Sequence, residues 1–235
     1  MKNVLWYKKP AVEWEEALPL GNGHIGAMVF GGINEERIAL NDDTLWSGYP
    51  KKKTNPDAKE YLPKVQQLIL EGRIEEAEEM ANQHLAGLWT ECYLPLGDLK
   101  IKTEVNGEAE SFIRDLDIQQ GIAATSFTVG EVRYLREAFV SAPADALVML
   151  LTATKPTDYE LTLESQLRCK LSVEDQILYM RGYAPEQALP SYYDKEDAVI
   201  FNDGPDNKAM RYATALQIVE TDGYIAAAEG ALRIE

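Results

Sequence analysis

The sequence predicts a mostly β protein, an antiparallel sandwich of about a dozen strands with a helical hairpin inserted at about residues 55–87. Most of the chain falls into short runs in which apolar and polar side chains alternate. Pairs that contain glycine, asparagine or aspartate separate several of these runs, as expected of tight turns. One segment departs from this pattern and has helical periodicity. We therefore treat residues 1–235 as a single domain.

The predicted strands concentrate in the second half of the chain. LKIKTEV (99–105) alternates, and Asn106-Gly107 after it is a hairpin-turn signal. Two alternating runs within residues 121–143 meet at Gly130. ALVMLLTAT (146–154) is apolar almost throughout, which predicts a strand buried on both faces. Further strands are predicted at residues 159–167, 176–184, 211–220, 224–229 and 231–235.

Residues 54–87 predict two consecutive helices. Asn55 is the expected N-cap of the first helix, with Pro56 at the first helical position. Gly72 interrupts the apolar stripe, and Gly87 is the expected end of the second helix. The outward-facing positions are rich in glutamate, which is typical of a solvated surface.

Composition limits the classes of partner. The formal net charge of −16 at pH 7 excludes a nucleic-acid binder, which needs a cationic surface, and disfavours an anionic membrane. No window approaches the roughly 20 apolar residues of a membrane span. The first residues lack the apolar core of a signal peptide, so we expect a cytoplasmic protein, or a secreted one if a native leader was removed. Cys92 and Cys169 match no metal or redox spacing, and we expect no cofactor and no metal.

The glycine-rich stretch PLGNGHIGAMVFGG (19–32) allows three interpretations. A phosphate-binding loop requires a following helix, whereas AMVFGG resembles a strand. A catalytic loop around His24 requires a nucleophile, and none is near in sequence. A hairpin fits best, because Gly21, Asn22 and Gly23 are residue types that tolerate a positive φ.

Four segments carry a family resemblance. WEEALPLGNGHIGAMVFGGINEERIALNDDTLWSGYP (14–50) resembles the amino-terminal signature of glycoside hydrolase family 95, the inverting α-L-fucosidases. YLPLGDLKI (93–101), the run from FIRDLDIQQ to SAPADALV (112–148), and the stretch from LPSYYD to RYATALQIV (189–219) agree in order and spacing. The resemblance covers essentially the whole chain. It implies an antiparallel β-super-sandwich related to the N-terminal domain of family 65.

The resemblance also implies what this chain does not contain. Family members continue into a helical linker, a catalytic (α/α)6 barrel and a C-terminal β domain, and the acid and water-positioning groups lie in the barrel. We therefore expect no catalytic residue among these 235 residues. The expected role is non-catalytic: packing on the helical barrel of the same parent chain, which acts on fucosylated glycans or the related L-galactosides, and shaping its substrate cleft.

Five residues are the candidates for lining that cleft: His24, Asn41, Asp42, Asp43 and Trp46. Trp46 is able to stack on a sugar ring, although Asp and Asn before Thr also form ordinary turns.

An alternative function is a stand-alone carbohydrate-binding sandwich. Its stacking platform would be Trp46, Trp89, Tyr192 and Tyr193. The final segment ALRIE has the pattern of a strand, and we expect an unpaired edge or an uncovered face where the barrel would dock.

Overall fold

The computed structural model describes residues 3–87, 90–190, 192 and 196–235. It confirms a mostly β chain with antiparallel sheets and a helical hairpin. The helices are α1 (Ala58–Leu70) and α2 (Ile74–His84), and a 3-10 turn covers Trp14–Glu16. The strands are β1 (Val4–Tyr7), β2 (Leu18–Gly21), β3 (Ile25–Val29), β4 (Glu35–Asp42), β5 (Gly97–Lys102), β6 (Glu110–Asp117), β7 (Ile122–Val129), β8 (Val132–Ser141), β9 (Ala146–Ala153), β10 (Tyr159–Glu164), β11 (Arg168–Glu174), β12 (Ile177–Tyr183), β13 (Gln187–Ala188), β14 (Val199–Ile200), β15 (Arg211–Gln217), β16 (Ile225–Ala228) and β17 (Ala231–Ile234). Neither helix is long and apolar enough to cross a membrane.

Two large sheets and a smaller one build the sandwich. The seven-stranded sheet has the order β16-β17-β10-β5-β4-β3-β2, and the five-stranded sheet has the order β1-β6-β7-β8-β9. A three-stranded sheet, β11-β12-β15, contacts β10 and β17, and β13 pairs with β14. β2 and β3 lie against β7, β8 and β9, so the two large sheets pack face to face.

The main core lies between these sheets. Alternate side chains of the seven-stranded sheet face inward, and the register places Leu161 between Ile101 and Leu232. The five-stranded sheet adds Leu116, Ala123 and Ala138, and the three-stranded sheet adds Leu178 and Met180. Burial of each large aliphatic side chain contributes about 1.5–3 kcal/mol, so this single cluster is the main source of stability.

A buried ion pair also joins the two large sheets. Glu36 of β4 is fully buried and lies 3.5 Å from the Arg136 guanidinium of β8. The carboxylate accepts the Gly31 N–H at 2.7 Å, and Arg136 donates to the Ile33 carbonyl at 2.8 Å. The pKa of Glu36 is raised, because desolvation outweighs the opposite effects of Arg136 and the neighbouring backbone amides. These hydrogen bonds fix how the two sheets sit against each other.

The helical hairpin forms where it was predicted. Gly72, with a φ of +75°, makes the turn between α1 and α2. The two helices share a small core of their own, built from Val65, Leu68 and Ala77 with Met80, Ala81 and Leu85 packed around them.

The start of the first helix differs from the prediction. α1 begins at Ala58, so Pro56 lies before the helix rather than at its first position. The side chain of Asn55 accepts the Asp57 N–H at 3.0 Å, which is a turn ahead of the helix rather than an N-cap.

The end of the second helix is also earlier than predicted. α2 ends three residues before Gly87. There the Asn55 amide donates to the carbonyls of Gln83 and Ala86, at 3.3 and 3.2 Å. Asn55 therefore satisfies carbonyl groups at the end of α2 and ties the two ends of the hairpin together.

The Asn106-Gly107 pair does not form the predicted hairpin. β5 pairs with β4 and β10, whereas β6 belongs to the other large sheet. The segment is therefore a crossover between sheets, with Gly107 at a φ of +134°.

The strand at residues 146–154 is not buried on both faces, as its apolar run had predicted. β9 is the edge of the five-stranded sheet. One face packs on the main core, and on the other face Val148 and Leu150 are exposed. The Gly130 turn that was predicted between two strands is confirmed, because β7 and β8 pair across it.

The last strand is paired on both sides. β17 lies between β16 and β10 in the seven-stranded sheet. The strand predicted at ALRIE is thus confirmed, and the edge of the sheet beside it is β16. That this part of the sandwich docks on a barrel stays a prediction.

Candidate functional site

Four loops meet at one end of the sandwich, which we call the rim: residues 22–24, 42–50, 90–96 and 142–145. The pairing of Ile25 with Asp42 brings the β2–β3 turn beside the end of β4. Hydrogen bonds between residues 45–47 and 92–94 add the segment that leads into β5. The β8–β9 loop arrives from the other large sheet. The rim therefore gathers polar side chains that are far apart in sequence.

The glycine-rich stretch is a hairpin, as predicted. β2 and β3 pair across Asn22, Gly23 and His24, and Gly23 has a φ of +95°. The Asn22 side chain accepts the backbone N–H groups of His24 and Ile25 at 2.9 and 2.7 Å. Because these bonds satisfy two backbone N–H groups of the turn, they fix the backbone from which the His24 side chain extends.

His24 is the centre of a group of carboxylates, which we call the His24 cluster: His24, Asp42, Asp43 and Asp145. His24 Nδ1 lies 2.8 Å from Asp145 Oδ2, and Nε2 lies 3.3 Å from Asp42 Oδ2 and 3.7 Å from Asp43 Oδ1. The Asn22 amide donates to the other oxygen of Asp145 at 2.9 Å. Asn22 therefore hydrogen-bonds both to the backbone of His24 and to the carboxylate of Asp145.

Electrostatics favour the charged form of this histidine. The hydrogen bond to Asp145 raises the pKa of His24 above its usual 6.5, and the charges of Asp145, Asp42 and Asp43 act in the same direction. Hydrogen bonds from Asn22 and His24 lower the pKa of Asp145. The three carboxylates of the cluster therefore favour the imidazolium form of His24.

The loop after β4 places an aromatic pair beside the cluster. Asp42 Oδ1 accepts the N–H and the hydroxyl of Thr44, and the Trp46 indole donates to the Asp43 carbonyl at 3.0 Å. Trp46 forms an isolated β-bridge with Tyr93, and the two ring centroids lie 5.5 Å apart. Trp46 is 42% exposed and Tyr93 45% exposed, so both rings offer surface to a ligand.

A shallow groove of about 390 Å³ begins at Trp46. Its lining includes Trp46, Tyr49, Lys53, Glu91, Lys208 and Met210. Gly48, with a φ of +82°, allows Glu91 to approach the backbone, since a Cβ at this position would lie 2.2 Å from the Glu91 carboxyl carbon. The rim therefore combines a polar cluster, an exposed aromatic pair and a groove.

The family model described as the glycosyl hydrolase family 65, N-terminal domain, matches residues 5–235. The chain belongs to this family. Over 227 residues it is 30% identical to alpha-L-fucosidase 2 of Arabidopsis thaliana, an alignment that covers 93% of this chain and 27% of the plant protein. It is 29% identical to a probable alpha-fucosidase A of Aspergillus niger, over 64% of this chain and 20% of the fungal protein. A probable alpha-fucosidase A of Aspergillus oryzae is also 29% identical, over 78% of this chain and 27% of that protein.

The resemblance seen in the sequence is thereby confirmed: the chain is an N-terminal domain of the type found in family 95-like proteins. The chain spans about a quarter of the length of the curated relatives that it matches.

In this N-terminal domain four of the five predicted cleft residues lie together. His24, Asp42 and Asp43 belong to the same cluster, and Trp46 is bonded to its edge. Asn41 is placed differently, because neighbouring side chains of a strand point to opposite faces. It lies opposite Gly26, on the other face of β4 from Asp42.

Two residues that bond to His24 or to its carboxylates, Asn22 and Asp145, were not among the candidates predicted from the sequence, and neither was Tyr93, the partner of Trp46. Asn22 was assigned to the turn alone, yet its amide group also bonds Asp145. Asp145 lies 121 residues from His24 and has a φ of +49°, which is uncommon for a residue other than glycine. That φ is known only from the structure, so the SAPADAL connection gave no reason to select this position.

Two predicted stacking residues, Trp89 and Tyr193, lie outside the described residues. Tyr192 is described and is 74% exposed.

The His24 cluster also contains atoms of the type that bind metal ions. One ligand atom from each of His24, Asp42 and Asp43 lies within 4.8 Å of the others. The contacts of His24 with its carboxylates account for this proximity, and we assign no metal to it.

Proposed function

We propose that this chain is the non-catalytic N-terminal module of an inverting α-L-fucosidase-like glycoside hydrolase. In this proposal residues 1–235 form one β-super-sandwich domain, which packs on a helical catalytic barrel of the same parent chain. The observation that carries the proposal is the family match over residues 5–235 in a chain that covers only 27% of a relative named alpha-L-fucosidase 2.

The chemistry of the rim supports a non-catalytic role. An inverting glycosidase needs a carboxylic acid with a raised pKa and a second carboxylate about 6.5–9.5 Å away. Asp145 has the opposite property, because hydrogen bonds lower its pKa. The carboxylates of Asp42 and Asp145 are both engaged by His24, which suits them to hold loops rather than to activate water.

The same geometry supports a role in shaping a substrate cleft. Trp46 and Tyr93 present exposed ring surface at the rim, and the His24 cluster fixes the loop that carries Trp46. In this proposal the loop lines the entrance of the barrel's cleft, where fucosylated glycans bind.

Assay of the isolated 235-residue chain with 4-nitrophenyl α-L-fucoside tests the non-catalytic role. We expect no turnover from the folded chain, and turnover from the product of the complete gene. Turnover by the isolated chain that disappears in Asp43→Asn or Asp145→Asn would overturn the proposal.

Substitution of Trp46 tests the cleft-shaping role. In the product of the complete gene, Trp46→Ala should raise KM about fivefold with little change in kcat, because one aromatic contact contributes about 1 kcal/mol. Trp6→Ala is the matched control, since Trp6 is also exposed but lies on β1, at the edge of the five-stranded sheet. An equal effect of both substitutions on KM would show that Trp46 does not line the cleft.

A second candidate function is a stand-alone carbohydrate-binding domain. The exposed Trp46–Tyr93 pair beside the groove favours it. Calorimetric titration of the isolated chain with fucose and fucosylated oligosaccharides tests this candidate. Binding that is lost in Trp46→Ala supports it, and absence of heat at millimolar sugar removes it.

A further inference from the structure

The groove beside Trp46 concentrates positive charge in an acidic protein. Three lysine side chains surround Tyr49 and Glu91. The ammonium groups of Lys51 and Lys208 lie 4.7 and 5.6 Å from the centroid of the Tyr49 ring. Lys51 and Lys53 approach Glu91 Oε1 at 3.1 and 3.2 Å.

The charges of this group do not cancel. Lys51 and Lys53 share the carboxylate of Glu91. The groove lining itself contains two lysines, Lys53 and Lys208, and one carboxylate, that of Glu91. The nearby Glu186 carboxylate accepts the backbone N–H of Lys208, at 2.9 Å. The whole chain, by contrast, has a formal net charge of −16. A small anion is therefore attracted to the groove, whereas a long polyanion is repelled by the remaining surface.

The remaining lining suits a sugar ring. Trp46 is 42% exposed at one side of the groove, and Met210 adds apolar surface. An aromatic face with a few placed polar groups is the usual composition of a saccharide or small-molecule site. The volume of about 390 Å³ lies within the range of such sites.

We infer that this groove binds an acidic sugar unit, a uronate or a sulfated sugar, whose ring stacks on Trp46 and whose anionic group pairs with Lys208. This inference rests on the proposed function, because it identifies the groove as a subsite for acidic units of the glycan that the parent enzyme processes. The lysine ammonium group recognises the negative charge, which a carboxylate and a sulfate share.

Calorimetric titration of the 235-residue chain with digalacturonate, against neutral galacto-oligosaccharide of the same length, tests the inference. A sulfated galacto-oligosaccharide forms the third arm and distinguishes the two sources of negative charge. We expect binding of at least one anionic ligand, none of the neutral ligand, and weaker affinity at higher salt because the ion pairs are exposed. Equal binding of the neutral ligand, or no binding of either anionic ligand, would overturn the inference.

Variants of Lys208 give the second readout. Lys208→Ala should weaken anion binding about fivefold, the upper range for one exposed ion pair, and Lys208→Arg should restore it. Lys59→Ala is the control, because Lys59 is an exposed lysine on α1 that does not line the groove. An unchanged affinity in Lys208→Ala would contradict the assignment.

The binding inference and the proposed function can each be refuted without the other. The titration requires only the isolated chain, so a negative result leaves the fucosidase assay of the complete gene product unaffected. An inactive gene product that still contains the groove would likewise refute the proposed function without changing the binding result.

Discussion

At the scale of single residues, the rim shows one asparagine serving two distant parts of the chain. The carbonyl oxygen of Asn22 closes the β2–β3 turn, and its amide group bonds Asp145 and the Ser141 carbonyl in the β8–β9 loop. The β2–β3 turn and its contact with the β8–β9 loop therefore depend on the same side chain. His24 completes the connection through its bond of 2.8 Å to Asp145.

The contact between His24 and Asp145 should make stability depend on pH. The pKa of His24 is raised in the folded state above 6.5, so the imidazolium contributes stability that is fully present below pH 6.5. This contribution is lost as the pH rises through the raised pKa. We expect the melting temperature of the wild type to exceed that of His24→Gln most at about pH 6, and the difference to shrink toward pH 9.

Thermal unfolding of both proteins across this pH range measures the effect. Asp145→Asn removes the facing carboxylate, so its difference from the wild type should shrink over the same range. A difference between wild type and His24→Gln that stays constant with pH would show that the charge of His24 does not contribute.

The sequence predicted the part of the rim that local pairing assembles. His24, Asp42 and Trp46 lie within 23 consecutive residues, and one strand pairing is enough to bring them together. Asp145 escaped selection because its position depends on how one large sheet packs on the other. Periodicity within a strand carries no information about that packing.

At the scale of elements, the hairpin of α1 and α2 is a nearly separate unit. Its core comes from the hairpin alone. Leu68→Ala should therefore unfold the hairpin without unfolding the sandwich, because the substitution removes about 2–5 kcal/mol of packing from a very small cluster. Amide hydrogen exchange should accelerate across both helices and remain slow in β4 and β5.

Leu62→Ala is the matched control on the same helix. Leu62 is 48% exposed, whereas Leu68 is 8% exposed, so the same chemical change should leave hydrogen exchange in both helices unchanged. Uniform acceleration through the sheets in Leu68→Ala would show that the hairpin and the sandwich unfold together.

The strands show why element prediction succeeds more readily than topology. Alternation located β7, β8 and β12, since one apolar face is enough to mark a strand. The partner of each strand is a separate question. Asn106-Gly107 has the composition of a hairpin turn, yet β5 and β6 belong to different sheets. β9 has apolar side chains on both faces although only one is covered, so its pattern overstated its burial.

At the scale of the whole molecule, the two large sheets carry opposite halves of the rim. The β2–β3 turn holds His24 and the end of β4 holds Asp42, whereas the β8–β9 loop holds Asp145. The same two sheets are joined by the buried pair of Glu36 and Arg136. We therefore expect the geometry of the rim to depend on this buried pair, which we call the polar joint.

Glu36→Ala should lower the free energy of unfolding by about 3–5 kcal/mol, because it leaves the Arg136 guanidinium buried without its counter-charge. Glu35→Ala is the control on the same strand. Glu35 faces outward, where it pairs with Lys100 at 2.9 Å, and loss of an exposed pair should cost about 1 kcal/mol or less. Urea denaturation of the two variants measures this difference.

Glu36→Ala should also change the rim, which a purely local defect would not do. If the two sheets lose their fixed relation, Asp145 moves relative to His24, and the pKa of His24 falls toward 6.5. An NMR titration of the His24 ring in the folded variant reports this shift, with Glu35→Ala retaining the raised pKa. A destabilised Glu36→Ala variant whose His24 titrates as in the wild type would show that the geometry of the rim does not depend on the polar joint.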